Sequence, residues 1–198
     1  MTAPFLAGVV AGYGVAIPVG AIAVLIAGLS ARTSLRVGAA AGLGAATADG
    51  IYALAAVLGG AALAGLIAPV AVPLRWVAAA VLLGLAAHTA WSALRPRRSD
   101  GPARSAETTP LRAYLGILSL TLLNPATVVY FAALVLGRGG TGGGVMFVLG
   151  AFVASASWQL LIAGGGSLAG RVLTGERARL VTALVSSAVI AVLAIQLL

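Results

Sequence analysis

Residues 1 to 31 carry no charged side chain, and between Arg36 and Arg75 the sequence has one, Asp49. A water-soluble fold cannot be cut from such runs, because every face it turns outward needs polar atoms. Charged residues make up 8% of the chain, against about 25% in ordinary soluble domains. An outer surface that meets lipid removes the conflict. Six apolar segments approach or exceed the roughly 20 residues that a membrane helix needs. They fall at about 4–29, 37–59, 73–94, 113–136, 144–166 and 179–198. A secretory signal would begin with basic residues and an apolar stretch of about 7–15. The first segment has neither property and is read as a retained helix.

The polar stretch "RPRRSDGPARSAETTP", residues 95–110, has the Pro, Gly and Ser content of a flexible linker. It separates residues 1–94, with three spans, from 113–198, with three more; 95–112 is the basic connection. An odd number of spans per half makes the halves run oppositely through the bilayer, so related halves form an inverted repeat. "IPVGAIAVLIAGLSARTS" in the first span and "NPATVVYFAALVLGRGGT" in the fourth share a mid-span proline, an apolar run and a short turn with an arginine. The expected fold is therefore an all-α membrane protein. It has six transmembrane helices in two inverted three-helix repeats, with helices 1 and 4 broken at Pro18 and Pro125.

Charge placement orients the chain. All twelve basic residues are arginine. Ten lie on one side of the membrane: Arg32 and Arg36; Arg95, Arg97, Arg98, Arg104 and Arg112; Arg171, Arg177 and Arg179. Arg75 and Arg138 lie on the other. The positive-inside rule makes the ten-arginine side cytoplasmic and puts both termini outside. Lysine-free, alanine-rich composition is typical of a GC-rich bacterial genome, so the expected location is a bacterial cytoplasmic membrane. The same placement argues against a nucleic-acid partner.

Asp49 falls near the centre of the second span, where a charged group costs about 2.5–3.5 kcal/mol to insert. It is either a structural carboxyl held between helices or a functional group facing a water-filled cavity, as a proton carrier or a counter-ion for an ammonium group. Pro18 and the Asn124-Pro125 pair interrupt backbone hydrogen bonding where lipid offers no replacement partner. Each proline can start a half-helix whose free N–H groups attract an anion, with Asn124 at a capping position; the plainer alternative is a packing kink. Asp49 against two broken helices has the polarity of a zwitterion site. Trp158 and Gln159, near mid-span in helix 5, are further candidates for substrate contact. Gly44 and Gly50 belong to close packing beside Asp49, as do the four-residue glycine spacings of "GVVAG" (8–12) and "GAAAG" (38–42). His88 lies near the basic end of helix 3. Trp76, Trp91 and Tyr114 are at helix ends and read as interface anchors.

One histidine, no cysteine and one intramembrane carboxylate make no metal centre. "GGTGGG" (139–144) lacks the lysine of a phosphate loop. No nucleophile–base pair is present, which disfavours a membrane enzyme, and no cofactor is expected.

These residues resemble the LysE/RhtB family of amino-acid exporters. The resemblance rests on "PVGAIAVLIAGLSARTSLRVGAAAGLGAATAD" in the first half and on "LLNPATVVYFAAL", with Tyr130 and Phe131, in the second. Gly150 and Trp158 match a later glycine-to-tryptophan stretch. The resemblance covers nearly the whole chain. The family often has Gly-Pro at the first break and Asn-Pro-Lys at the second. Here Ile17 precedes Pro18, Ala126 replaces the lysine, Gln159 replaces an aromatic, and helix 4 ends in "VLG". These departures bear on substrate rather than on fold. What the resemblance implies is a secondary transporter exporting an amino acid or similar small zwitterion by proton antiport. Its partners would be that substrate, protons and lipid, in a monomer or a homo-oligomer. A lipid or ion exporter of the same superfamily and a non-transporting membrane subunit stay open beside it.

Overall fold

The computed structural model describes residues 2–17, 20–94, 108–124, 127, 130–131, 144–172 and 176–196, and every element among them is helical. In chain order these are α1 (Thr2–Ala16), α2 (Ala21–Arg32), α3 (Leu35–Ile67), a 3-10 turn (Ala68–Val70), α4 (Ala71–Leu94), α5 (Pro110–Leu122), α6 (Gly144–Val172) and α7 (Glu176–Gln196). Segments Leu35–Gly59 and Gly144–Arg171 are each long and apolar enough to cross a bilayer. The bent pair α1 and α2, whose axes meet at 79°, is either one broken span, which would be a third, or a re-entrant loop. Outward side chains are apolar along these helices; Leu58 is 79% exposed, an arrangement stable only where the surroundings are lipid.

Local chemistry sets the boundaries. At the end of α2 the Thr33 hydroxyl donates to the Leu29 carbonyl at 2.7 Å, and Ser34 then caps α3 by accepting from Val37 N at 3.3 Å. Thr109 caps α5 through Arg112 N, with Pro110 in the first turn, where its missing N–H is harmless. At the other end of α5, Leu123 N donates to Ser119 O and Asn124 N to Thr121 O, both at 3.0 Å. Pro125 follows and has no N–H with which to continue. Gly144 opens α6 at φ +58°, a conformation that side-chain-bearing residues rarely adopt.

Glycine lets the helix backbones touch, and the touching pairs fix the directions of packing. A Cβ on Gly8 would lie 2.1 Å from Phe147 O, and on Gly12 2.3 Å from Ala151 O. On Gly166 and Gly170 it would meet Ala27 O at 2.4 Å and Ala31 O at 2.2 Å. So α1 and then α2 run alongside α6 in the same direction. In the same way α5 runs alongside α3: Gly44 abuts Tyr114 O, and the Tyr114 hydroxyl donates to Thr47 at 3.1 Å. Tyr114, expected to anchor at the lipid interface, instead turns onto α3. The two long helices α3 and α6 pack antiparallel, Gly42 against Gln159 and Gly50 against Phe152. Helices α4 and α7 pack on each other, and α7 also on α2. These directions bring Arg32, Arg36, Arg112 and Arg171 to one end of the bundle.

Two dry clusters form the interior. One gathers Ile26, Ala41, Ala45, Ile117, Ala163 and their neighbours on the arginine side of Asp49. The other gathers Ala11, Ala53, Ala56, Phe131, Phe147 and Ala151 on the opposite side.

Candidate functional site

Asp49 occupies the gap between those clusters. It is 4% exposed, and its Oδ2 accepts a 2.6 Å hydrogen bond from the hydroxyl of Ser155, itself 0% exposed. That bond crosses the α3–α6 contact and joins residues from the two halves of the chain. Among the described residues no arginine pairs with Asp49. A buried carboxyl without a cation is costly to keep charged.

The polar groups around it fall into three sets. Gln159 lies one helical turn from Ser155 on α6, fitted against Gly42, where a Cβ would come within 3.1 Å of its own. Gln159 is 6% exposed, and its Oε1 accepts no hydrogen bond among the described residues; the same holds for Trp158 Nε1 as a donor. A buried polar atom left unpaired costs about 1–3 kcal/mol, and such atoms gather where a ligand or water completes them. Near the end of α1, the Tyr13 and Ser157 hydroxyls stand 2.9 Å apart, and a Cβ on Gly14 would strike the Tyr130 hydroxyl. Near the end of α5, the Tyr52 hydroxyl donates to the Leu122 carbonyl. Low-dielectric surroundings offer that freed helix-end carbonyl no water, and the phenol takes its place.

Of the residues singled out from sequence, Asp49 and Gln159 lie along the α3–α6 contact, and Trp158 is next to Gln159 on α6. Gly44 and Gly50 flank Asp49, the first tight against α5, the second with a Cβ position 3.3 Å from the Phe152 ring. Asn124 terminates the α5 segment, half-buried. Pro18 and Pro125 lie outside the described residues, as do 95–107 and Arg138. His88, Trp76 and Trp91 are exposed on α4. Among the described residues no cluster of three metal-ligating side chains occurs.

Sequence reasoning did not find Ser155, Tyr52, Tyr13 or Ser157. Ser155 had one available signal: it stands 106 residues after Asp49 (155 less 49), the spacing that also relates Gly44 to Gly150. The tyrosines had none, since a phenol that answers a helix-end carbonyl looks like any aromatic in an apolar span.

A family model described as LysE type translocator matches residues 14–198 of the chain. No curated protein and no solved structure matches it.

Proposed function

Because the chain belongs to the LysE type translocator family, whose members carry small molecules across membranes, we propose that it exports an amino acid or a similar small zwitterion by proton antiport. The carrying observation is Asp49: buried at the middle of a spanning helix, unpaired with any described cation, and held by one hydroxyl from the other half. In this reading Asp49 faces the cytoplasm, gives up its proton and takes the substrate ammonium. N–H groups at the breaks by Pro18 and Asn124-Pro125 take the carboxylate. Gln159, whose buried Oε1 accepts no hydrogen bond among the described residues, and the ring of Trp158 beside it complete the contact. Gly44 and Gly50 keep α5 and α6 close to Asp49. An outside proton then displaces the substrate.

The six-span inverted repeat belongs to the same proposal, with halves 1–94 and 113–198. Its support is the matched pattern of contacts: α1 and α2 lie along α6 as α5 and Phe131 lie along α3, and the pairs α3–α6 and α4–α7 are each self-matching. Both termini and Arg75 then face outside, and the arginine end faces the cytoplasm of a bacterial cell.

The test is flux from proteoliposomes of the purified chain, with a panel of labelled amino acids and an imposed pH gradient. Gradient-dependent movement of one or a few is expected. Movement of none, by protein shown to be folded, overturns the substrate assignment and directs attention to lipids and inorganic ions.

A further inference from the structure

This inference rests on the inverted-repeat reading. Asp49 and Ser155 touch across the α3–α6 contact and occupy matched positions in the two halves. Gly44 and Gly150 do so as well, and they meet matched surroundings. A Cβ on the first would lie 2.4 Å from Tyr114 O and 3.1 Å from Leu118 N; on the second, 2.2 Å from Phe5 O and 2.9 Å from Val9 N. In that register Tyr52 corresponds to Trp158, each three residues past the central pair.

The two are chemically alike. Each is a large flat apolar body with one hydrogen-bond donor at its rim. Tyr52 reaches the end of α5, and in the matched register Trp158 sits next to Ser157, whose hydroxyl lies 2.9 Å from that of Tyr13 near the end of α1. The last carbonyls of a helix lack an intrahelical donor: on α5 Leu122 O is one of them, and on α1 Gly14 O is another, since the residue four on is Pro18, which has no N–H. Their present states differ. Tyr52 has its carbonyl, at Leu122. Trp158 Nε1 is buried and donates to nothing among the described residues. The matched donors therefore differ: Tyr52 is bonded to a helix-end carbonyl, while Trp158 is not, although the Tyr13–Ser157 bond already ties α1 to α6.

We propose that Tyr52 and Trp158 are alternating positioning residues: Tyr52 fastens the end of α5 in the state seen here, and Trp158 Nε1 fastens the last-turn carbonyls of α1 when the halves exchange conformations. Transport by a repeat pair moves one half against the other around a fixed site. With one of the two matched donors bonded in each state, the exchange of this donor–carbonyl bond favours neither state.

The chain has no cysteine, so single reporters can be placed cleanly. Ala45→Cys and Ala56→Cys put a thiol in each dry cluster, both at present buried. Labelling of each is measured with a water-borne maleimide, alone and combined with Tyr52→Phe or Trp158→Phe. Tyr52→Phe should raise labelling at one reporter about fivefold, the effect of one net hydrogen bond. Trp158→Phe should lower labelling at that same reporter by a similar factor, and the double variant should return near the parent. Shifts in the same direction, or no shift in folded protein, overturn the proposal. If Trp158→Phe does not fold, Tyr52→Phe alone decides, since labelling unchanged from the parent overturns it. The readout uses neither substrate nor proton gradient. Failure of amino-acid flux would therefore refute the antiport reading without touching this result, and failure here would leave antiport standing.

Discussion

Gly44 and Gly150 are the positions where adding one methyl group should do most harm. At Gly150 the new Cβ would stand 2.2 Å from Phe5 O, and ordinary contact begins at 3.4 Å. The shortfall is 1.2 Å. At Gly44 the distance to Tyr114 O is 2.4 Å, a shortfall of 1.0 Å. In both cases the obstacle is helix backbone, which cannot swing aside as a side chain tip can. The pairs α1–α6 and α3–α5 must therefore separate by about an ångström along a seam that also carries Gly8 and Gly12, or Thr47 and Tyr114. Overpacking of this kind costs about 1–3 kcal/mol. Gly165→Ala is the control, since nothing lies within 4 Å of its Cβ position and alanine gains up to about 1 kcal/mol over glycine in a helix. SDS titration of purified protein in mild detergent reads the difference. Gly44→Ala and Gly150→Ala should unfold at clearly lower SDS, by similar amounts, and Gly165→Ala at the parent's value or above. If Gly150→Ala is as stable as Gly165→Ala, the close α1–α6 approach is wrong, and with it the argument for matched seams.

Further outcomes follow from the polar groups. Ser155→Ala leaves a buried carboxyl without its donor, so transport should fall about tenfold, the rate equivalent of the 1–3 kcal/mol lost with such a partner, while Ser155→Thr, which keeps the hydroxyl, should retain more; equal loss in both would assign the defect to packing. Gln159→Leu removes an unpaired buried acceptor at nearly constant volume, so the protein should become more stable by about 1 kcal/mol while its flux drops. A Gln159→Leu protein that is less stable and transports normally would remove Gln159 from the site.

Much of the fold is legible in the order of the residues alone. Charge-free runs either side of Asp49 point to a membrane protein, and the helices capped by Ser34 and Thr109 begin two or three residues ahead of the spans read at 37–59 and 113–136. Asp49 stands out because a carboxyl amid alanine and glycine has no cheap explanation. Its partner does not stand out, because serine is common in packed membrane helices and the Asp49–Ser155 contact exists only once α3 lies antiparallel on α6. The extents of the long helices are also hidden: α3 continues to Ile67 and α6 to Val172, past the ends of their apolar centres, since nothing in "GGAALAGLI" stops a helix that packing can support. Tyr114 shows the reverse error. Position at a helix end marks an interface aromatic, yet Gly44 opens a groove in α3 that draws α5 close enough for its phenol to reach Thr47.

Proton antiport in this chain depends on what Asp49 does. The direct measurement is gradient-driven flux of a transported amino acid in proteoliposomes, comparing the parent protein with Asp49→Asn, which keeps size and hydrogen-bonding to Ser155 but cannot cycle a proton. A folded variant whose pH-gradient-driven transport is abolished is expected. A folded Asp49→Asn protein that accumulates substrate as the parent does would contradict proton antiport, and Asp49 would then be a structural carboxyl held between α3 and α6.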